Sequence, residues 1–411
     1  MMKETEMKRV PKLRFPEFTD DWEQRKLGEL TEIKDSARIP NNEWTESGVP
    51  YIRASDVTNE DMRGVLFISE EKYKFYKSRT GAPEQGDVLF NGGGEIGKTM
   101  LNTGNKPIYV QGGAVLYART SASKMLNGRY MKTYFETSSA KSYIDAASAG
   151  GTMKHFTLKP SQEMPIMFPT MSEQQKIGQY FSNLDHLITL HQRKLEKLKK
   201  LRKGMMQKLF SQEIRFKADD GSGFSEWEEK KVGSLGDIVG GGTPSTKKKE
   251  YWCGKIAWVS SADIGDNDIR NINITRFITR EAIADSATKI IPKDSILIVS
   301  RVGVGKVAKA SCNLCTSQDF TNIVNLDGDV TFLSYAVLRL MQSKLQCVQG
   351  TSIKGIPNDE IKNYTLNIPC LAEQQKIANC LSSLDGVIEK QKATLAAWEE
   401  LKKGLLQQMF V

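Results

Sequence analysis

The amino-acid sequence predicts an α+β protein built from two globular modules, each followed by a long helix, with the two helices paired as an antiparallel coiled coil. Three observations predict this architecture. The chain has 411 residues, which is long for one domain and sufficient for two or more. It matches itself at an offset of 200 residues. The best-matching segment of each half carries the heptad pattern of a coiled-coil helix.

The internal repeat is strongest where each half ends. Residues 173–210 align with 373–410 without a gap, and 15 of the 38 positions are identical, beginning with Glu-Gln-Gln-Lys-Ile in both copies. Upstream, shorter matches recur in the same order, while the sequence between them differs. The predicted segments are an N-terminal arm over 1–19, a first module over 20–170, a first helix over 171–211, a second module over 212–368 and a second helix over 369–411.

Both predicted helices carry apolar residues at alternating spacings of four and three, which is typical of the a/d seam of a coiled coil. Eight positions represent this seam: Ile177, Leu184, Ile188, Leu195, Ile377, Leu384, Ile388 and Leu395. The seam is interrupted at His191 and Arg202, and at the matching Gln391 and Lys402. Because a polar seam residue fixes register and partner, these matched interruptions predict that the two helices pair with each other.

The length and the ends of the helices lead to further expectations. A helix of 38 residues is about 57 Å long, which exceeds the roughly 34–36 Å of one turn of B-DNA. The pair can therefore hold two modules on successive turns of a duplex, although an ordinary bundle or dimerisation helix is the alternative. We expect Ser172 to cap the first helix, with Gln175 as its capping-box partner. Gly204 and Gly404 each cost about 1 kcal/mol of helix stability, so we expect a bend or a close approach at both.

In the modules, aromatic and β-branched runs alternate with glycine-rich turns, which predicts strands joined by tight turns. The predicted strands cover 49–57, 87–91 and 108–117 in the first module, and 256–264, 295–301 and 321–326 in the second. Helices are predicted over 126–147 and 333–348. Each module is therefore predicted to be mixed α+β.

The formal net charge of +9 suggests a polyanionic partner. However, residues 173–210 hold nine Lys/Arg against three Asp/Glu, so two thirds of the excess lies in the first helix. A solvated helix face or an acidic partner helix explains that charge as well as DNA does.

Cations in the modules are stronger candidates for DNA contact, because several follow glycine-rich turns that let the backbone approach phosphate. Lys98 and Lys306 occupy matching Gly-Lys positions, and Lys154 and Lys354 occupy a second matching pair. Two further candidates, Arg53 and Arg301, each occur in one half only and are suited to a bidentate contact with guanine. A solvated surface cation is the alternative for each residue, but the two matched pairs favour a function.

Residues Gly92–Thr99 fit the phosphate-binding pattern GxxxxGK[ST], and a nucleotide site there would make the chain an enzyme. A P-loop must open directly into a helix, whereas Asn102–Pro107 would stop any helix within one turn. Cys312 and Cys315 have no second CxxC pair, and the three histidines at 155, 186 and 191 all lie in the other half. We therefore predict no catalytic residue, no metal site and no cofactor in this chain.

The cysteines and the hydropathy pattern bear on the compartment. The six cysteines are unevenly spread and form a poor disulfide framework, so we expect reduced thiols. The first twenty residues lack the apolar core of a signal peptide, and no apolar run approaches the roughly 20 residues of a membrane span. The expectation is a cytoplasmic protein without a membrane partner.

Several motifs give the chain a family likeness. The Glu-Gln-Gln-Lys-Ile segment after a Pro-bounded strand, followed by Leu-Asp-x-x-Ile and a Lys-rich heptad helix, resembles a region of type I restriction-modification specificity subunits. The segment Leu13–Phe18 with Trp22, and its echo from Ile214 to Trp227, resemble the segments that introduce the target-recognition domains of that family. Ser300–Lys306 is similar to the family's Arg-x-Gly-x-x-Gly-Lys loop, whereas the first half has two glycines where Ser and Arg stand.

The resemblance covers essentially the whole chain and implies a non-catalytic subunit that selects DNA sites. Each module would read one half of a bipartite, gapped target on double-stranded DNA, and the helix pair would set the spacer. The helices would dock two methylation subunits, which bind S-adenosylmethionine and modify adenine. Restriction subunits, which use ATP and Mg, would join that complex.

Two other classes of function stay open at this point. One is a nucleotide- or S-adenosylmethionine-dependent enzyme that uses the loop Gly92–Thr99. The other is an assembly scaffold that does not read DNA.

Overall fold

The computed structural model describes residues 10–148, 154–346 and 355–411, and the chain divides into two compact units. One unit consists of Met1–Lys194 together with Gln391–Val411, and the other consists of Leu195–Lys390. Each unit therefore contains one module, the beginning of one long helix and the end of the other.

The first unit combines short strands with helices that connect or flank them. Its strands are β1 (Glu23–Lys26), β2 (Ile33–Asp35), β3 (Trp44–Thr45), β4 (Val49–Ile52), β5 (Phe67–Ile68), β6 (Val88–Asn91), β7 (Thr99–Leu101), β8 (Tyr109–Val110), β9 (Val115–Ala118) and β10 (Pro165–Phe168). Its helices are α1 (Leu27–Leu30), α2 (Ala54–Thr58), α3 (Glu70–Thr80), α4 (Gly128–Tyr134), α5 (Ser138–Ala147), α6 (Leu158–Glu163) and the first part of α7 (Met171–Phe210).

The second unit is built in the same way. Its strands are β11 (Glu228–Lys231), β12 (Asp237–Gly240), β13 (Ile256–Val259), β14 (Arg276–Ile278), β15 (Ile290–Ile291), β16 (Ile296–Val299), β17 (Val307–Lys309), β18 (Leu314–Thr316), β19 (Phe320–Val324) and β20 (Thr365–Ile368). Its helices are α8 (Arg280–Ala284), α9 (Val330–Gln346), α10 (Asn358–Asn363) and the first part of α11 (Leu371–Met409). Short 3₁₀ turns lie at Asn41–Glu43, Val232–Ser234, Lys249–Trp252 and Ser261–Asp263.

The sheet topology repeats even where the sequences have diverged. The antiparallel sheet β2-β9-β6-β7 of the first unit corresponds to β12-β19-β16-β17 of the second. A second sheet shares three strands, since β5-β4-β8 corresponds to β14-β13-β18 and the parallel pair β4–β8 matches the parallel pair β13–β18, whereas the fourth strand, β3 or β15, lies at opposite edges. An antiparallel two-stranded ribbon, β1–β10 or β11–β20, completes each unit. Helices and mainly antiparallel sheets thus make the α+β class that the sequence predicts.

The long helices pack in antiparallel fashion within each unit. In the first unit, Ile177 and Leu184 near the beginning of α7 share a core with Met409 at the end of α11. In the second unit, Ile377 near the beginning of α11 shares a core with Leu209 near the end of α7. Of the eight seam positions, Ile177, Leu184, Leu195, Ile377 and Ile388 are buried, and Ile188, Leu384 and Leu395 are half-buried.

A triad of aromatic rings closes the end of the helix pair in each unit. In the first, the ring centroids of Trp22, Tyr130 and Phe410 lie 5.5 to 6.1 Å apart. In the second, Trp227, Phe332 and Phe210 form the same triad with centroids 5.4 to 6.3 Å apart. Rings at these separations combine a large buried area with favourable edge-to-face contacts, so each helix end is anchored to a module.

The polar interruptions of the seam pair across the helices. In the first unit, Gln391 donates a hydrogen bond to the carbonyl oxygen of His191 at 3.1 Å, and Lys402 lies 2.6 Å from Asp185. In the second unit, Arg202 donates to Asp385 at 2.5 Å. Since 185 and 385, and 202 and 402, are equivalent in the repeat, the same cross-helix ion pair forms in both units.

Three strand predictions were too long, because a cap or a turn interrupts each run. The run over 256–264 is a strand only as far as Val259, after which Ser260 caps the 3₁₀ turn Ser261–Asp263. The run over 49–57 is a strand only as far as Ile52, after which helix α2 begins with the Asp56 carboxylate accepting the backbone N–H of Arg53 at 2.9 Å. The run over 108–117 is broken into β8 and β9 by a turn in which Gly113 has a φ of 75°.

Two helix predictions need revision as well. The segment 126–147 contains two helices, because the hydroxyl of Thr137 accepts a hydrogen bond from the backbone of Ala140 and caps a new one. Residues 333–346 of the segment predicted over 333–348 belong to α9, which begins earlier because Asp329 accepts from the backbone N–H of Phe332 at 2.8 Å, and residues 347 and 348 lie outside the described residues.

The prediction that Ser172 caps α7 was wrong. The helix begins at Met171, and the hydroxyl of Thr170 accepts from the backbone N–H of Glu173 at 3.5 Å.

At Gly204 and Gly404 the close approach is not found, since a Cβ there would meet no atom of the described residues within 4 Å outside its own helix. Within the described ranges, no helix has the length and apolar character to span a membrane.

Candidate nucleic-acid interface

The glycine-rich loop is the same hairpin turn in both units. It joins β6 to β7 in the first unit and β16 to β17 in the second. The N–H of Gly97 donates to the backbone carbonyl oxygen of Asn91 at 2.9 Å, and the N–H of Gly305 donates to that of Val299 at 3.0 Å. Both glycines have positive φ, 79° and 94°, which explains the residue type because other side chains rarely adopt this conformation.

This geometry argues against a P-loop. A P-loop cradles phosphate at the N-terminus of the helix that follows it, whereas residue Thr99 begins strand β7 and pairs with Phe90. The loop therefore offers turn N–H groups and side chains, but it lacks the helix end that a nucleotide phosphate needs.

The two matched loop lysines take different positions. Lys98 projects from its turn with its side chain 57% exposed, and its ammonium lies 3.9 Å from Glu95. Lys306 folds back, with 25% of its side chain exposed, and donates to the carbonyl oxygen of Ile264 at 3.0 Å. It also lies 3.4 Å from Asp266. Only Lys98 is thus extended in the way that a phosphate contact requires.

The segment that contains Lys154 lies beside this loop. The N–H of Phe156 donates to the backbone carbonyl oxygen of Gly92 at 2.8 Å, and the matching N–H of Ile356 donates to that of Ser300 at 2.7 Å. Lys154 itself is exposed. Lys354, its predicted counterpart, lies outside the described residues.

Arg53 also belongs to this end of the first module. Its Nε and Nη2 each lie 3.1 Å from a carboxylate oxygen of Asp56. The hydrogen bond to Asp56 raises the pKa of Arg53 above its ordinary value. Helix α2 begins directly after it, and Asn91 donates to the carbonyl oxygen of Ala54 at 2.9 Å. The structure therefore brings the Arg53 turn, the glycine loop and the Lys154 segment together.

Arg301 is exposed at the rim of an open cleft that Lys306, Asp266 and Leu345 also line. No hydrogen bond or ion pair joins it to any residue in the part of the chain that the structure describes. Gly355 packs against it, since a Cβ there would lie 3.3 Å from the Cγ of Arg301.

The sequence analysis missed a further arginine in the second module. Ser260 occupies the position of Arg53, and Arg276 from the neighbouring strand β14 binds the carboxylate of Asp263 instead. The guanidinium carbon lies 4.6 Å from the ring centroid of Trp258. The matched aspartates at 56 and 263 were the available signal, because the second has no arginine beside it in the sequence.

The basic run Lys247–Lys249 was missed as well. All three lysines are exposed. Lys248 donates to the hydroxyl of Tyr251 at 2.6 Å, and this hydrogen bond raises the pKa of Lys248. Three consecutive lysines in a module were a signal in their own right.

The Glu-Gln-Gln-Lys-Ile motif binds each long helix to the segment that precedes Trp22 or Trp227, which we call the arm. Glu173 is completely buried and receives two hydrogen bonds from Arg14, both of 2.7 Å. Glu373 receives two from Arg215, of 3.1 and 2.8 Å. These bonds raise the pKa of both arginines. The motif is therefore structural.

The glutamine that follows joins the module to the helix. Gln174 donates to the carbonyl oxygens of Met125 and Pro169 and accepts from the backbone of Asn127, each at 2.9 Å. Gln374 repeats the bond to Pro369 and accepts from the backbone of Asp329, again at 2.9 Å.

The cysteines and histidines do not form a metal centre in the described ranges, where no group of three or more His, Cys, Asp or Glu side chains is placed to hold an ion. Cys315 is buried on β18, and burial raises the pKa of its thiol to about 11. A thiol with so high a pKa is a poor nucleophile and metal ligand at neutral pH.

A model of the type I restriction modification DNA specificity domain matches residues 19–200 and again residues 224–397. The chain belongs to this family. The family is defined by a DNA specificity domain, and the two matches correspond to the two halves of the repeat.

Individual members of the specificity family agree with this assignment. The type I restriction enzyme MjaIX specificity subunit of Methanocaldococcus jannaschii is 35% identical over 207 residues, which are 49% of this chain and 48% of that protein. The putative type I restriction enzyme MjaX specificity subunit of the same organism is 24% identical over 413 residues, covering 96% of this chain and 94% of that one. The chain thus spans about half of the first relative and nearly all of the second.

Solved structures of the specificity family share the fold. The S subunit of a type I system from M. genitalium superimposes with a TM-score of 0.65 at 17% identity, covering 98% of this chain and 99% of that one. A chain from a study of complex assembly and conformational transition of the type I R-M system gives a TM-score of 0.53 at 17% identity, covering 95% and 97%.

Proposed function

We propose that this chain is the specificity subunit of a type I restriction-modification complex and reads a bipartite, gapped target on double-stranded DNA, one half-site per module. The observation that supports this proposal is the repeated loop-and-segment arrangement with unequal cations. Both units hold the same hairpin turn against the same downstream segment, yet Lys98 projects where Lys306 folds back. Two modules that share one backbone fold but present different side chains are suited to two different half-sites.

The paired helices would set the spacer and dock two methylation subunits, and restriction subunits would join that complex. Exposed apolar residues recur at matching positions outside the seam, Leu187 with Val387 and Leu201 with Leu401. Exposed apolar side chains at equivalent places on both helices are suited to two copies of one partner.

Chemistry would reside in those partners. The methylation subunits would supply S-adenosylmethionine and modify adenine, and the restriction subunits would use ATP and Mg. No residue of this chain is assigned a catalytic role, and the complex would act on DNA in the cytoplasm.

Sequencing of N6-methyladenine across the genome, in cells with and without this gene, tests the proposal. Expression of a methylation subunit must be confirmed in the same cells, and restoring the gene is the control. We expect one gapped motif to lose methylation on deletion and to regain it on restoration. An unchanged methylome in cells that express the partner would contradict the proposal and favour a scaffold that does not read DNA.

A further inference from the structure

A nearly buried aspartate holds an arginine at the same place in both modules, although the arginine comes from different parts of the chain. Asp56 and Asp263 follow the equivalent strands β4 and β13, and their side chains are only 8% and 11% exposed. Each accepts the backbone N–H three residues before it, at 2.9 Å from Arg53 and 2.7 Å from Ser260. The carboxylate is therefore fixed by the fold, whichever arginine it binds.

The two modules differ in which residue supplies the arginine, whereas the accepting aspartate stands at the equivalent position in both. In the first module Arg53 is the capping residue itself, and it binds Asp56 through Nε and Nη2. In the second module the capping residue is Ser260, and Arg276 reaches over from β14 to bind Asp263 and the Ser260 hydroxyl. An arginine is thus placed on this carboxylate by two different routes, which points to a function beyond capping.

Each guanidinium keeps donors that the described residues do not use. Arg53 engages Nε and one hydrogen of Nη2, which leaves the Nη1–Nη2 edge available. Arg276 makes both of its bonds through Nη2, to Asp263 and to the Ser260 hydroxyl, which leaves Nη1 and Nε, on separate edges, for single hydrogen bonds. The side chains are 32% and 39% exposed, so these donors can reach a ligand. Guanine presents two acceptors, N7 and O6, on one edge in the major groove and is the base that arginine reads best.

Both arginines lie beside the glycine loop. Asn91, where the loop leaves β6, donates to Ala54, the residue after Arg53. In the second module, Lys306 of the loop donates to Ile264, the residue after Asp263. The held arginines are therefore part of the candidate nucleic-acid interface of their own modules.

The aspartate also changes what the arginine can contribute to binding. A carboxylate beside the guanidinium cancels most of its charge, so the pair adds little to the general attraction for phosphate. In return, the side chain is ordered before DNA arrives, so the loss of its rotamer entropy does not oppose binding. An arginine held in this way is suited to reading a base.

We propose that Arg53 and Arg276 are specificity-determining residues, each reading a guanine in the half-site of its own module, and that Asp56 and Asp263 are their positioning residues. This inference rests on the proposed function, because it requires the chain to read DNA in a complex with its methylation subunit.

The test is methylation of a DNA library with randomised half-sites by the complex of this chain with its methylation subunit. Variants R53A and R276A are compared with the wild type, and R53K and R276K keep the charge but lose the planar guanidinium with its several directed donors. We expect R53A to lower the preference for guanine by about 5- to 150-fold at one position of one half-site. R276A should do the same in the other half-site, and both lysine variants should resemble the alanine variants. The slope of affinity against salt should stay unchanged.

Arg63 provides the matched control. It also pairs with an aspartate, Asp61 at 3.0 Å, but its side chain is 90% exposed, and among the described residues it is Arg53, not Arg63, that binds the Asp56 carboxylate. R63A should leave every position of the target unchanged. For the positioning role, D56N should relax the same position as R53A, and the double variant should show no further loss.

The outcomes separate this inference from the proposed function. If the wild-type complex shows no base preference, the proposed function has failed. If the wild type reads a target and R53A and R276A leave its base preferences intact, the inference is overturned. Loss of a whole half-site with a lowered melting temperature in the alanine and lysine variants also overturns it, because that result indicates a folding role.

Discussion

At the scale of single residues, the buried carboxylate of the Glu-Gln-Gln-Lys-Ile motif explains why the motif recurs. Glu173 and Glu373 lie in the first turn of a long helix, where a negative charge is favoured by the helix dipole. Each is fully buried and accepts two hydrogen bonds from an arginine of the preceding arm. A buried charge without such a partner is costly, so arm and helix are coupled.

Removing the arginine should therefore destabilise each unit, but to different extents. R14A should lower the free energy of unfolding by about 3 kcal/mol, because it leaves Glu173 buried without its two charged bonds. R215A should lower the free energy of unfolding by a smaller amount, since Trp227 still donates to Glu373 at 3.1 Å. Urea unfolding measures both. R25A, whose partner Glu23 is exposed, is the control and should change stability by under about 0.5 kcal/mol. Equal losses for R14A and R25A would contradict this account.

At the scale of elements, glycines in the long helices differ in what surrounds them. A Cβ at Gly204 or Gly404 would meet no described atom within 4 Å outside its own helix, whereas a Cβ at Gly178 would lie 2.7 Å from the Cβ of Arg129. The repeat has Ala378 at the position of Gly178. Of these three positions, only Gly178 requires glycine, because helix α4 lies too close there for a side chain.

Alanine substitutions should reflect this difference. G204A and G404A should each stabilise the chain by up to about 1 kcal/mol, because alanine restricts the unfolded chain and extends the helix without a clash. G178A should destabilise it, since either the Arg129 backbone or α7 must shift. Thermal melting of the three variants is the measurement. A stabilised G178A, or destabilised G204A and G404A, would show that the packing around the helices differs from that described.

The helix pair carries a second prediction at this scale. Seven residues inserted after residue 194 in α7 and after 394 in α11 preserve the heptad and add about 10 Å of helix. If the helices set the spacer, the gap in the DNA target should lengthen by about three base pairs at roughly 3.4 Å each, with both half-sites intact. Methylome sequencing reads the gap directly. Seven residues inserted in the exposed turn after Ala218 are the control, and an unchanged gap in the helix variant would refute the spacer role.

The helices were predictable from sequence because their periodicity and their repeat act over short distances. That the two helices pair with each other also followed, since matching positions interrupt the seam in both copies, but the partner of Arg202, Asp385, was not predicted. The cap of α7 was misplaced by two residues, because Thr170 and Ser172 are both capping residue types and tertiary packing selects between them.

The interface was less predictable than the helices. Lys98 and Lys306 match in sequence, but their environments differ because Asp266 is near only the second. Arg276 could not be found from the repeat, since its partner Asp263 is thirteen residues away and the two meet only when β14 pairs with β13. Single-sequence patterns identify such residues poorly whenever the partner is supplied by strand pairing.

At the scale of the whole molecule, the chain separates what is common to both halves from what differs. The sheet topology, the aromatic triads, the arm-to-helix ion pairs and the cross-helix ion pairs occur in both units. The side chains at the glycine loop and on the buried aspartate differ. A protein that reads two unlike half-sites with one scaffold requires this division.

The central claim is that each module reads its own half-site, and an exchange of modules tests it most directly. Residues 20–168 are replaced by the first module of another family member, and the methylated target is sequenced in cells that express the methylation subunit. We predict that one half-site changes, while the other half-site and the spacer stay as they were. A change in both half-sites, or in neither, would contradict the claim.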